Sequence, residues 1–277
     1  MSLYETLRAA VDASVPAVLA TLVVADQPSA GRPGARQPGA KLLVTIDLDG
    51  HARVAGSLGD PDLDRVVARD SLAELDAGRS AVRHYGPHGE AREDAVSIFI
   101  DSFAPPPRML IFGAVDFTSA LVRVAKVLGY RVTVCDAREV FATEMRFPLA
   151  DEVVVDWPHR LLEREGTTLR AADAICVLTH DHKFDVPAVA AALRTDVGYI
   201  GAMGSRRTAE ERNRRLIESG VAERDLVRVM APIGLDIGAR SPEETAIAIC
   251  SEIISTRTGR TPSSLRDTVG PIHSTIT

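Results

Sequence analysis

Pro105-Pro106-Pro107 constrain this chain more than any other feature, because neither a strand nor a helix can run through them. Consecutive prolines lack N–H donors and lock φ, so they form a stiff spacer. The hydrophobic rhythm differs on the two sides. Ahead of them, residues 2–13 carry Leu3, Leu7, Ala10 and Val11 at helical spacing, and Ala17–Ala25 is rich in β-formers. Leu42–Ile46 and Ala52–Ala55 read as strands joined across Asp49-Gly50, a hairpin signal. Pro61–Asp76 reads as a helix, and Ala81–Tyr85 and Ala95–Phe103 as two more strands. Residues 1–104 are therefore expected to form a small α+β domain. Residues 26–40, rich in proline, glycine and arginine, read as a loop, either a tolerated insertion or a flap over an anionic ligand.

Behind the prolines, apolar strands alternate with helices. Strands are expected at Met109–Ala114, Arg131–Cys135, Glu152–Asp156, Ala174–Thr179 and Val197–Ile200. Helices are expected at Phe117–Leu128, Pro187–Leu193, Thr208–Glu218 and Pro242–Ile254. Continuous apolar strands need cover on both faces, so residues 105–258 should form an α/β, Rossmann-like domain with a mostly parallel sheet. Ser241, Pro242 and Glu244 give the last helix a capping signature. Residues 259–277 read as a loose polar tail.

At 277 residues, 45% apolar, the chain can bury a sizeable core. The net charge of -6, with both signs mixed along the chain, is not a footprint for nucleic acid. Positive charge is nearly all arginine, since Lys41, Lys126 and Lys183 are the only lysines. Cys135, Cys176 and Cys250 are widely spaced among apolar neighbours and suggest reduced, buried thiols in a cytoplasmic protein. No segment has the length and hydropathy of a membrane span.

Four segments could carry chemistry. Gly113 ends the first strand of the second domain, but Gly113-Ala114-Val115-Asp116-Phe117-Thr118 departs from the G-x-G-x-x-G of a dinucleotide fold. Val115 denies a pyrophosphate its close backbone approach, Asp116 would repel it, and Thr118 should loosen helix–strand packing. Asp136 stands 23 residues after Gly113, at the usual ribose-binding place. NAD binding is accordingly not expected. The second segment, Thr179 to Asp185, holds His180, Asp181 and His182. These could contact a polar ligand, hydrogen-bond their own loop, or ligate a divalent metal, although no distant third ligand is apparent. In the third, Gly201 and Gly204 precede Ser205, Arg206 and Arg207 at a helix start. This is either a phosphate or pyrophosphate site or a plain cap whose arginines pair with Glu210 and Glu211. The fourth, residues 231–242, could close over a ligand with Asp236 or serve as a rigid crossover. The loops at 113–118, 179–185 and 201–207 should meet in one cleft at the carboxyl edge of the sheet.

At these residues the sequence resembles the XdhC/CoxI family, accessory proteins for molybdenum hydroxylases such as xanthine dehydrogenase and aerobic carbon monoxide dehydrogenase. The matching stretches are PPPRMLIFGA (105–114), LGYRVTVCDAR (128–138), FATEMRFPLADEVVV (141–155), VLTHDHKFDVPAVAAAL (177–193), YIGAMGSRRT (199–208) and APIGLDIGARSPEETAIAICSEII (231–254). The resemblance implies a two-domain chaperone that binds molybdenum cofactor (molybdopterin) transiently, shields it during sulfuration and delivers it to an apo-hydroxylase. A cysteine desulfurase would be the other partner, and a homodimer is compatible with this reading. Such a protein would not itself be an enzyme. Two stretches depart from the family. The usual G-S-V-S-G-G-C is here Ala55-Gly56-Ser57-Leu58-Gly59-Asp60, and Val115, Asp116 and Thr118 replace the second glycine, histidine and last alanine of G-A-G-H-V-A. A nucleotide-dependent oxidoreductase (NAD or NADP) and a cofactor-free scaffold bridging maturation partners are the alternatives.

Overall fold

The computed structural model describes residues 2–13, 15–25, 37–46, 51–91 and 93–269. The chain divides into two compact units, Met1–Pro105 with Ser264–Thr277, and Pro106–Ser263.

The first unit opens with α1 (Leu3–Asp12), started by a Ser2–Glu5 capping box. Its sheet has the order β3-β2-β1-β5-β4, built from β1 (Ala17–Val24), β2 (Lys41–Ile46), β3 (Ala52–Ser57), β4 (Ala81–Tyr85) and β5 (Val96–Phe103). All its pairings are antiparallel. Alternation along β1 and β2 sorts the side chains by face. Val18, Ala20, Leu22, Leu42 and Val44 pack with Leu63, Val67 and Leu75 of α2 (Pro61–Asp76), while Ala17 and Leu43 meet α1. The β2–β3 pairing follows the hairpin expectation, with Val44 opposite Val54. The turn at Asp49-Gly50 and most of the 26–40 loop lie outside the described residues.

The second unit holds a sheet of order β11-β10-β9-β6-β7-β8, parallel at every pair. In chain order the strands are β6 (Arg108–Phe112), β7 (Arg131–Cys135), β8 (Glu152–Val154), β9 (Ala174–Val177), β10 (Tyr199–Ala202) and β11 (Val229–Met230). Counted within this unit the order is 3-2-1-4-5-6, the doubly wound arrangement, with its switch point between β6 and β9. The strands are apolar on both faces because both are covered. Met109, Ile111, Val132, Val134 and Cys176 pack against α3 (Asp116–Val127) and α7 (Pro242–Thr258). Leu110, Phe112, Ile175, Val177 and Ile200 pack against α4 (Pro158–Glu165), α5 (His182–Ala192) and α6 (Arg206–Glu218). The three cysteines are free and buried, and burial pushes the thiols of Cys135 and Cys250 up to about 12.

The last helix carries the expected capping box. The Ser241 hydroxyl accepts from Glu244 N at 3.2 Å, and Glu244 accepts from Ser241 N at 3.0 Å. It runs four residues beyond the expected end, to Thr258, and is closed by Gly259 at φ +66°. Three elements correct the sequence reading. α4 and the edge strand β11 were not expected, and α5 begins at His182 rather than Pro187. Asp181 is its cap, accepting from Lys183 N at 2.9 Å, so Pro187 lies inside the helix. No described helix is long and apolar enough to cross a membrane.

Candidate functional site at the carboxyl edge of the parallel sheet

Because β6, β9 and β10 are parallel, the segments that follow them emerge along one edge. At the switch point Gly113 takes φ +114°, and a Cβ there would lie 2.7 Å from Thr179 Cγ2 and 3.1 Å from Thr179 N. Only glycine fits this close approach. Thr118 does not loosen the packing as expected. It is fully buried, its hydroxyl donates to Gly113 O, and it accepts from Val115 N at 3.4 Å. A threonine here replaces small-residue packing with a side-chain lock on the turn.

Asp136 is similarly committed. Its side chain is 3% exposed and accepts from Ala114 N at 2.8 Å, Arg138 N at 2.9 Å, Arg138 Nε at 3.0 Å and Arg138 Nη2 at 2.8 Å. Burial pushes its pKa up, but the Arg138 guanidinium and the two backbone amides outweigh that and hold the carboxyl below its usual range. Asp116, by contrast, is 94% exposed, with Arg146 at 3.9 Å. With Asp136 occupied and Val115 in place of the second glycine, the chain is expected to bind NAD, NADH and NADP more weakly than about 10 μM (about -7 kcal/mol) in calorimetric titration. A tighter constant for any of the three would contradict this.

At the head of α5, His180 and Asp181 are exposed and His182 is half-buried, its Nδ1 buried without a hydrogen-bond partner among the described residues. Among those residues no group of three or more His, Cys, Asp and Glu side chains is placed to hold a metal. Phe184 stacks on Trp157, which precedes α4, at 4.7 Å between centroids, and Lys183 Nζ lies 5.3 Å from the indole. Asp185 turns inward. It accepts from the Thr179 hydroxyl, and its Oδ2 lies 3.5 Å from Arg212 Nη2, with side chains 0% and 1% exposed. The same Nη2 donates to Met203 O. Burial raises Asp185 and lowers Arg212, each opposed by the other's charge.

Arg212 was missed in the sequence because it sits in a run of charged residues. The signal was its place between buried Ala209 and Leu216, at i+3 and i+7 on one helical face.

The next turn is shaped by two glycines. A Cβ on Gly201 would lie 2.4 Å from Ile233 Cδ1, and Gly204 takes φ +139°. Ser205 then caps α6, accepting from Thr208 N at 3.1 Å. Arg206 and Arg207 are exposed and form no ion pair among the described residues. Glu211 is instead held by Arg214 and Arg215, whose hydrogen bonds bring its carboxyl down to about 2. The cap and the solvated arginines of the alternative reading are present, but the expected pairing of these arginines with Glu210 and Glu211 is not seen among the described residues.

Opposite them, the 231–240 loop is pinned to α7. Glu252 Oε2 accepts from Gly234 N at 2.9 Å and from Tyr199 OH at 2.6 Å, and Leu235 N donates to Ala248 O at 3.2 Å. A cavity of about 590 Å³ lies between, lined by Ser205, Arg206, Arg207, Pro232, Gly234 and Asp236. The structure thus gathers Ser205, Arg206, Arg207 and Asp236 around one cavity; Gly201 and Gly204 shape the turn that leads into α6 but do not line it. Gly113 and Asp136 sit farther along the edge, and His180, Asp181 and His182 at the head of α5 do not line this cavity. Of the three loops expected to share one cleft, this cavity takes its lining from 201–207 and not from 113–118 or 179–185.

Comparison with known proteins gives two family matches. Residues 109–253 match the XdhC Rossmann domain, and residues 10–86 match the XdhC and CoxI family. A Bacillus subtilis (strain 168) protein described as a probable component of xanthine dehydrogenase is 31% identical over 165 residues, 60% of this chain and 47% of that protein. The uncharacterized protein YqeB of Escherichia coli (strain K12) is 29% identical over 229 residues, 79% of this chain and 40% of that protein. The molybdenum cofactor insertion chaperone PaoD of the same organism is 26% identical over 155 residues, 56% of this chain and 42% of that one. In each case the chain spans less than half the relative's length. A solved structure from Bacillus halodurans, described as a xanthine dehydrogenase, aligns with TM-score 0.52 at 22% identity. It covers 94% of this chain and 97% of that one, a likeness of fold.

Proposed function

Because this chain belongs to the XdhC/CoxI family, we propose that it is an accessory protein of molybdenum hydroxylase maturation, which carries molybdenum cofactor as cargo and helps pass it to an apo-hydroxylase. The observation that carries this reading is the cavity edged by Ser205, Arg206, Arg207 and Asp236. A helix start leaves its first N–H groups unpaired and favours negative charge. Two arginines beside it, without ion pairs among the described residues, add planar donor forks suited to phosphate. Asp236 lines the same cavity and offsets one of the two positive charges, and the net positive lining with its amide donors fits the cofactor's terminal phosphate monoester. It does not offer a thiolate to the sulfur and metal end, since all three cysteines are buried.

In this role the chain's residues bind and orient. The amides of the first turn of α6, the Ser205 hydroxyl and one or both arginines hold the phosphate. His180, Asp181 and His182 serve the polar head as hydrogen-bond or proton-transfer partners and not as metal ligands. PaoD's name supports the cofactor-insertion role, and the name of the Bacillus subtilis relative supports an association with xanthine dehydrogenase. The chain acts as a carrier rather than a catalyst, in the cytoplasm, with a cysteine desulfurase supplying the sulfur. The test is anaerobic co-purification with an apo-hydroxylase, followed by oxidation and measurement of pterin fluorescence in the fraction holding this chain. A pterin signal that rises with the amount of this protein is the expected result. A pterin-free protein that still binds the hydroxylase would replace the carrier with a cofactor-free scaffold.

A further inference from the structure

The buried Asp185–Arg212 pair does work that stability alone does not explain. Two facing helices with apolar side chains at these positions would hold together as well or better, since desolvating an ion pair offsets much of its attraction. Here the pair also leaves Asp185 Oδ2, Arg212 Nε and Arg212 Nη1 buried without hydrogen-bond partners among the described residues. Each such atom carries a desolvation cost. What the pair contributes is direction.

Through Nη2, Arg212 grips Met203 O, the carbonyl just ahead of the Gly204 turn, and faces Asp185 on α5. A Cβ on Gly204 would lie 3.4 Å from the same Nη2, so the bare turn lies directly over the guanidinium. Asp185 is bound in turn to Thr179, at the end of β9 and against Gly113. The guanidinium and the carboxylate it faces therefore tie together the middle of α6, the segment that follows β10, the first turn of α5 and the segment that follows β9.

We propose that Asp185 and Arg212 are positioning residues that make the Ser205–Arg207 corner and the His180–His182 segment a single unit, so that an anion held at one sets the geometry of the other. The mechanical coupling rests on these contacts. Its service to a phosphate-bearing cargo rests on the function proposed above.

The test is hydrogen exchange on the full chain carrying D185L and R212M together, a change that removes both charges and keeps apolar volume. The variant should melt within about 5 °C of wild type. Amides of 181–185 and 203–208 should exchange at least about 10-fold faster while the strands of the parallel sheet keep their protection. Affinity for inorganic pyrophosphate, by calorimetry, should fall about 10-fold, a usual size for coupling between sites. Should that variant fail to fold, R212K keeps the charge but loses the fork, and it should loosen the same two segments. Unchanged exchange in both segments of a folded variant would overturn the proposal. If wild type binds no pyrophosphate but the exchange pattern appears, the coupling stands and the phosphate assignment falls.

Discussion

Replacing Arg212 by alanine is expected to destabilise the Pro106–Ser263 unit by about 3–5 kcal/mol, because it strands Asp185 without its counter-charge. Both side chains are buried, a neutral water does not restore the lost counter-charge, and Met203 O loses its charged donor as well. Urea denaturation followed by circular dichroism measures the loss. The pH dependence has a defined sign. Burial raises the Asp185 pKa above its unfolded value, so between those two values the native state binds more protons than the unfolded chain. Stability from this group is then fully present below the unfolded pKa, about 3.9, and declines as pH rises toward the folded one. Removing Arg212 raises the folded value further and extends the window upward, so the variant should be penalised more at neutral pH than in mild acid. A loss under about 1 kcal/mol at neutral pH, or a penalty that grows on acidification, would contradict this account.

Changing Arg206 and Arg207 together to alanine should weaken molybdenum-cofactor binding by about 2–4 kcal/mol, roughly 30- to 900-fold. Each charged hydrogen-bonding group contributes about 1.5–3 kcal/mol, and two neighbours on one phosphate do not add fully. Folding should be preserved, since both side chains are exposed and the cap is made by Ser205. Competition binding with released cofactor, beside a thermal melt, reads both properties. Unchanged affinity would remove the phosphate from this corner. A collapsed fold would make the arginines structural.

The sequence was informative where local chemistry decides. Pro61 after Asp60 marks the start of α2, whose cap accepts from Asp62 N and Leu63 N, and the apolar run Arg131–Cys135 could only be an interior strand. The Ser205 cap and the two arginines were also readable, because an N-terminal motif depends on near neighbours. Long-range contacts were not. The start of α5 was misplaced since Pro187 is a natural first helical residue, while Asp181 and the inward Asp185 set the start five residues earlier. α4 escaped because Trp157 offers no side-chain cap, leaving only Pro158, Leu161 and Leu162 as signals. Asp136 looked like a ribose ligand by spacing, but its oxygens already receive Ala114 and Arg138. Spacing specifies where a residue stands, not what has already claimed it.

Trp157 gives this chain a private window on its own chemistry. It is the only tryptophan in the sequence, and it lies against Phe184 and Lys183 at the head of α5. Indole emission from the protein therefore comes from one place, against the first turn of the helix that His182 opens. A shift of α5 changes the ring and the cation beside it, and so the colour and intensity of that emission. A pterin absorbs where indole emits, so arriving cargo would also dim it by energy transfer. Anion alone and intact cofactor would leave different optical signatures, and loading and release could be followed in real time on unlabelled protein.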